Sequence, residues 1–273
     1  MKNKKGDTKK IFLKKGTCSQ TLFYILNRDF GYIKADEEVA SDPLAGGIAQ
    51  EGYQCGMLWG SSLAVGAESF RRYKDHGQAI AHAIRATQFI LESFINRSKN
   101  ANCGVITSCD FTSKFGLTKY LITGKPILCF NLADKWAPEA IQSAKEGLSQ
   151  QLIDLPKLPT SCASEVVKKM GGSAEEMVMV AGFAGGYGLS GNACGALSAA
   201  IWMNTLTRVR KQNYKYALSD AKLEKIMTTF FEETGYKMEC WKICGQQFKT
   251  INEHTEFIKG GGCDKLINAI AQS

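Results

Sequence analysis

The sequence predicts an all-α protein made of two similar helical repeats that pack together as an internal pseudo-dimer. Three observations support this: only 5 prolines in 273 residues, apolar residues at helical spacing, and a glycine–cysteine motif that occurs twice. Because proline interrupts helices, a chain that is poor in proline can form long ones. No repeated alternation of apolar and polar residues, which would indicate strands, accompanies these features.

Three segments show the spacing of amphipathic helices. Residues 68–98 carry apolar side chains such as Ile80 and Ile84 near helical intervals and predict one long helix. Residues 136–148 and 217–231 show a similar pattern and predict a helix in each half of the chain.

The glycine–cysteine motif at residues 44–58 recurs at 183–197, at a constant offset of 139. The first-copy residues that recur at this offset are Gly46, Gly47, Gly52, Cys55, Gly56 and Leu58. All ten cysteines also pair between the copies, with offsets that drift slowly from 144 to 134. The pairs are Cys18 with Cys162, Cys55 with Cys194, Cys103 with Cys240, Cys109 with Cys244 and Cys129 with Cys263. Such agreement indicates a tandem duplication.

We therefore divide the chain into a first repeat at residues 16–151 and a second at 161–273, joined by a linker at 152–160 that holds two of the five prolines. Residues 1–15 contain seven lysines and one aspartate, and predict a mobile, solvated arm. The other residues carry 27 basic and 25 acidic groups. This nearly neutral body argues against a nucleic-acid partner.

A membrane span is not expected. Residues 177–207 lack charged side chains, but the turn-rich segment 185–192 splits them into two pieces that are too short to cross a bilayer. The start of the chain does not resemble a secretion signal, so we expect a cytoplasmic protein whose thiols stay reduced. Ten cysteines in such a protein indicate metal ligands or redox groups rather than disulfides.

Four cysteines in each copy are candidate ligands of a metal or a cofactor. They are Cys18, Cys55, Cys109 and Cys129 in the first copy, and Cys162, Cys194, Cys244 and Cys263 in the second. The first two of each set are predicted at helix N-termini, where free N–H groups and the helix dipole stabilise a thiolate. Four thiolates complete either a tetrahedral metal site or the ligand set of an iron–sulfur cluster. Cys103 and Cys240 differ in their spacing to the next cysteine, and we predict them to be core or auxiliary thiols.

These motifs resemble a known family. Residues 18–20, the glycine-rich residues 181–188 and residues 194–198 are similar to the signature of the redox-active C_GCAxxG_C_C proteins. Met57 and Ala199 replace the alanine and the glycine that are usual in that signature. The resemblance implies a redox protein of the kind found in anaerobes. A related domain, similar to an iron–sulfur module, lies beside haem in split-Soret cytochromes, although this chain has no haem attachment motif.

The favoured hypothesis is an iron–sulfur protein that transfers electrons, with one or two clusters of the [4Fe–4S] or [2Fe–2S] type. It would be an electron carrier for a redox partner protein rather than an enzyme with its own substrate. Two alternatives remain open. The same cysteines could form a metal-free thiol–disulfide oxidoreductase, or they could bind structural zinc.

Overall fold

The computed structural model describes residues 7–153, 155–215 and 220–273, and these residues form fifteen α-helices and two short 3₁₀ helices. Within these ranges, extended pairing is limited to two isolated bridges, Gln54 with Asn102 and Ala193 with Glu239. The predicted all-α class is therefore confirmed.

The helices of the first repeat are α1 (Asp7–Lys15), α2 (Cys18–Phe30), α3 (Ala35–Ala40), α4 (Gly56–Arg72), α5 (His76–Ser98), α6 (Cys103–Thr107), α7 (Lys114–Ile122) and α8 (Lys125–Leu148). Those of the second are α9 (Cys162–Lys169), α10 (Ala174–Met179), α11 (Gly195–Arg210), α12 (Ala221–Thr234), α13 (Cys240–Cys244), α14 (Ile251–Lys259) and α15 (Asp264–Ala271). The 3₁₀ helices, Asp42–Leu44 and Ala181–Phe183, follow α3 and α10. The order from α2 to α8 thus recurs as α9 to α15.

The predicted helical segments exist, but their boundaries differ. Residues 68–98 do not form one helix, because α4 ends at Arg72 and α5 begins at His76. Asp75 separates the two, since its side chain caps α5 by accepting the backbone N–H of Gln78 at 2.8 Å. The segment 136–148 is the second half of α8. Of the segment 217–231, residues 217–219 lie outside the described residues, Asp220 is the N-cap of α12, and residues 221–231 belong to α12.

The lysine-rich N-terminal segment differs from its prediction. Residues 7–15 form α1, so this part is not a mobile arm, while residues 1–6 lie outside the described residues. The physical reason is that Ile11 and Phe12 share one helical face and are buried against the core, where Phe12 packs edge-on against Phe130 at 4.6 Å between ring centroids. Lys15 forms an ion pair with Glu38 at 2.8 Å.

The two repeats share one continuous hydrophobic core, which confirms their packing as an internal pseudo-dimer. Trp59 of α4 packs edge-on against Phe183 and Tyr187 of the second repeat, with ring centroids 4.7 and 5.1 Å apart. The Tyr187 hydroxyl also donates to the Leu58 carbonyl at 2.7 Å, so its buried polar end is satisfied across the interface. No helix in the described part of the chain combines the length and the apolar character that a bilayer crossing requires.

Candidate functional site: two buried thiol sites

Each repeat gathers cysteines from several separate elements, and all ten cysteines are free thiols. The first thiol site comprises Cys18, Cys55, Cys103, Cys109 and Cys129, and the second comprises Cys162, Cys194, Cys240, Cys244 and Cys263. The first residues of α2 and α9 and the N-caps of α4 and α11 supply two thiols to each site. The helix starts that the sequence predicted at these four cysteines are confirmed.

The second thiol site is compact, and all five of its cysteines line one small cavity. Cys240 and Cys244 lie one helical turn apart in α13, and their sulfur atoms are 3.8 Å apart. The sulfur of Cys244 is also 3.8 Å from that of Cys263, the N-cap of α15. Three thiols therefore form a chain of sulfur contacts.

The first thiol site does not reproduce this chain. Thr107 of α6 occupies the position one turn after Cys103, and its hydroxyl donates to the Cys103 carbonyl at 2.8 Å. Cys109 follows the end of α6, is buried, and has its thiol 3.4 Å from the Thr107 carbonyl. Cys18, Cys55, Cys103 and Cys129 line the cavity of this site, whereas Cys109 lies beside it. Cys129 sits inside α8 rather than at a helix start.

A left-handed glycine loop lies next to each site. Residues 46–50 and 185–189 each have five consecutive positive φ angles, between 50° and 86°. This conformation costs roughly 1–2 kcal/mol for each residue other than glycine. Hydrogen bonds across the loop, from the Gly52 N–H to the Gly46 carbonyl at 3.0 Å and from Gly191 to Gly185 at 2.9 Å, help to hold it. Strain kept at the same place in both copies indicates a functional constraint.

Both loops present a backbone N–H group to a cysteine sulfur. The N–H of Gly46 donates to Cys18, and the N–H of Gly185 donates to Cys162. The positive φ of these residues favours glycine, which adopts it without steric cost. Each copy thus stabilises negative charge on its first sulfur in the same way.

The segment that follows each loop fixes the cysteine whose spacing differs between the copies. The Cys103 N–H donates to the Tyr53 carbonyl, and the Cys240 N–H donates to the Asn192 carbonyl, both at 2.6 Å. The structure therefore brings Cys103 and Cys240 to the thiol sites together with the predicted residues. The signal that could have found them was their pairing at an offset of 137.

The thiols differ in the ease with which they lose a proton. The pKa of Cys18 is lowered, chiefly because the Cys55 thiol donates a hydrogen bond to its sulfur, and the pKa of Cys55 is correspondingly raised. Burial raises the pKa of Cys129 to about 11 and that of Cys162 to about 12. Cys18 is thus the thiol of the first site that most readily carries negative charge.

The surroundings of the two sites differ strongly in free volume. The cavity at the first site measures about 470 Å³, whereas the one at the second measures about 10 Å³. The side chains of Phe248, His254 and Phe257 close the second site. The first is bordered by Tyr120, whose hydroxyl donates to the Cys129 sulfur, and by residues of α12.

The donor set is suited to an iron–sulfur group, because each site offers thiols and backbone N–H groups directed at sulfur. In the described residues, no three cysteine, histidine or acidic side chains are arranged to hold a single metal ion. A cluster is larger than one ion and holds its thiolates around several metal atoms.

Duplicated helical repeats with free thiols beside glycine loops define a cysteine-based redox module. A family model described as "Putative redox-active protein (C_GCAxxG_C_C)" matches residues 17–137 and 160–273, and the chain belongs to this family as two tandem copies. The resemblance seen in the sequence is thereby confirmed. No curated protein and no solved structure matches the chain.

Proposed function

We propose that the protein is an iron–sulfur electron carrier in which each thiol site holds one cluster. The observation that carries this proposal is the convergence, in both repeats, of free thiols from separate helices beside a loop whose N–H donates to sulfur. Thiolates are the usual ligands of iron–sulfur clusters, and hydrogen bonds to their sulfur tune the reduction potential. A redox partner protein would exchange electrons with it in the reducing cytoplasm.

The eight predicted cysteines remain the proposed cluster ligands, and two further cysteines are alternatives. Cys103 and Cys240 are alternatives to Cys109 and Cys244 for the fourth position, because they lie in the same sites. When bound, an iron–sulfur group supplies one-electron chemistry of either the [2Fe–2S] or the [4Fe–4S] type. The chain would hold it through the thiolates, exclude water by burial, and stabilise its negative charge through the glycine loop.

The test is anaerobic purification of the full chain, followed by iron and sulfide analysis and by visible spectra before and after dithionite. We expect a brown protein whose absorption is bleached on reduction. Cys18→Ser and Cys162→Ser should each lose about half of the iron and sulfide, and the double variant should lose nearly all of it. Ser113→Ala, an exposed change near the first site, is the control and should retain all of the iron and sulfide.

Two results would replace the proposal. Stoichiometric zinc without sulfide would identify structural metal sites. A colourless, metal-free protein whose thiols cycle through a disulfide would identify a thiol–disulfide oxidoreductase.

The oxidoreductase is the second candidate, because the sulfur atoms of Cys240, Cys244 and Cys263 are already 3.8 Å apart in succession. A disulfide requires a sulfur–sulfur distance of about 2.05 Å, which a small side-chain movement would reach. Two thiols would then lose two protons and two electrons to a disulfide substrate, which would be reduced to two thiols. Mass spectrometry after exposure to oxidised glutathione tests this candidate directly.

A further inference from the structure

The free volume at the first thiol site is not explained by the thiols alone. The two sites arose by duplication and have related cysteines and related glycine loops, yet only the first opens into a cavity of about 470 Å³. That volume falls within the range of roughly 300–1,000 Å³ that is typical of small-molecule pockets.

The aromatic rings beside the thiols do not account for the difference. The matching helices α7 and α14 have the same length and start 137 residues apart, and at that offset Phe248 corresponds to Phe111 and Phe257 to Tyr120. Both counterparts line the cavity of the first site. The cover differs instead, because α5 packs Ile84 into the same apolar cluster as Cys240 and Phe248, whereas α12 borders the open cavity.

The walls of the cavity combine aromatic rings with carboxyl groups. The rings belong to Phe12, Phe111, Tyr120 and Tyr214, and the carboxyl groups to Asp42, Glu51, Asp220 and Glu224. Among the described residues that line it, none is a lysine, arginine or histidine. The chain as a whole carries a net charge of +8, so this acidic lining is a local feature and not a general property of the surface.

The carboxyl groups are not equivalent. Asp220 is paired with Arg208 at 2.6 Å, and Asp42 is buried and accepts hydrogen bonds from Gln20 and the Tyr214 hydroxyl. The side chain of Glu51 is half-buried, and its carboxyl group has no hydrogen bond or ion pair within the described part of the chain. Its equivalent in the second copy, at the offset of 139, is Ser190. Glu51 is therefore an acidic group that belongs to the open site and is available to a ligand.

We propose that this cavity binds a small, flat aromatic ligand that carries a positive charge or N–H donors and no anionic group. The rings and the apolar side chains of Leu223 and Met227 would bind its faces, Glu51 would attract its charge, and the thiols would lie within the same cavity. An anionic ligand would meet the carboxyl group of Glu51 and no lysine, arginine or histidine among the described residues that line the cavity. This inference does not depend on what the thiols hold, so it stands or falls separately from the iron–sulfur proposal.

The test uses two fluorescent probes of the same three-ring shape, proflavine as the cation and acridine-9-carboxylate as the anion. Fluorescence anisotropy titrations with the purified full chain should show a Kd for proflavine at least about tenfold lower than that for the anion. Glu51→Gln should weaken proflavine about fivefold. Leu223→Trp, which fills the cavity, and Thr112→Trp, on its exposed rim, should each weaken proflavine by about tenfold or more.

A second acidic groove between α5 and α8 provides the control. It is lined by Glu92, Glu139 and Glu146, so a cation bound merely by acidic side chains would also bind there. Ser143→Trp in that groove should leave the Kd of proflavine unchanged. In protein prepared without iron and sulfide, in which Cys18 is a free thiol, proflavine should also slow the alkylation of Cys18 by iodoacetamide without slowing that of Cys240. Equal Kd values for the two probes, unchanged binding by Thr112→Trp, or loss of binding with Ser143→Trp would each overturn the proposal.

Discussion

Phe248 is the residue whose removal should open the second thiol site. Its side chain is 4% exposed, and its ring lies 5.0 Å from that of His254 and 5.0 Å from that of Phe257. Phe248→Ala removes nearly the whole ring and leaves a cavity in place of two aromatic contacts. Such substitutions cost about 3–5 kcal/mol. Since single domains are stable by about 5–15 kcal/mol, we expect the variant to fold but with a lower free energy of unfolding.

The same substitution should also change how fast the thiols of the second site react. Cavity formation beside Cys240, Cys244 and Cys263 should admit water and small reagents to a site that now has about 10 Å³ of free volume. In protein prepared without iron and sulfide, we expect iodoacetamide to modify these three cysteines about tenfold faster or more in Phe248→Ala, because the free energy of local opening falls. Peptide mass spectrometry at timed intervals measures this rate for each cysteine, and urea unfolding measures the stability.

Phe248→Leu separates the two effects. Leucine retains much of the volume, so this variant should cost about 1–2 kcal/mol and keep the second site closed. Cys18 and Cys129 provide the internal comparison, because their site is open already and their rates should be the same in all three proteins. The reasoning would be refuted if Phe248→Ala lost the expected stability while the second-site thiols still reacted at the wild-type rate.

Three further changes test other parts of the structure. Gly56→Ala would place a methyl group 2.7 Å from the Cys18 sulfur, so it should cost about 1–3 kcal/mol in urea unfolding and displace that sulfur. Burial lowers the pKa of His82 below its ordinary value of 6.5, so the unfolded chain binds the proton first and stability should fall as the pH drops below that value. His82→Phe should flatten this fall between pH 7.5 and 5.5. Tyr187→Phe removes the hydrogen bond to Leu58 and should cost about 1 kcal/mol, as measured by urea unfolding.

Two of these changes have a matched control variant. Gly60→Ala on the same helix crowds the backbone of α2 instead of a sulfur, so it should destabilise the fold without a direct effect on Cys18. Tyr236→Phe removes a hydroxyl that is exposed and should change stability by less than about 0.5 kcal/mol. For His82→Phe, an unchanged pH dependence would contradict the assignment of that fall to His82.

The sequence predicted the features that depend on local patterns. The duplication, the all-α class and the helix starts at Cys18, Cys55, Cys162 and Cys194 follow from motifs within a few residues of one another. The glycine–cysteine motif also marked the place of the loop, because glycine adopts positive φ angles without steric cost.

Features that depend on tertiary contacts were not predicted. The helix α1 is dominated by lysine, and its two buried apolar residues acquire significance only once α8 is present to receive them. The spacing of Cys103 to Cys109 differs from that of its equivalent and does not mark Cys103 as a site residue, whereas a backbone hydrogen bond to Tyr53 fixes its place in the site. The cavity depends on which side chains of the opposite repeat cover the thiols.

The helices that cover the two thiol sites explain why the two sites differ. Helix α5 of the first repeat packs on the second thiol site, and α12 of the second repeat borders the first site. In a symmetric dimer of single repeats, one substitution would alter both sites together, because both subunits share one sequence. In the fused chain each site can change alone. The left-handed loop and the cysteines recur in both copies, whereas the helices that cover the two sites differ, since α5 has 23 residues and α12 has 14. Fusion thus allows one site to be closed while the other is open to ligands.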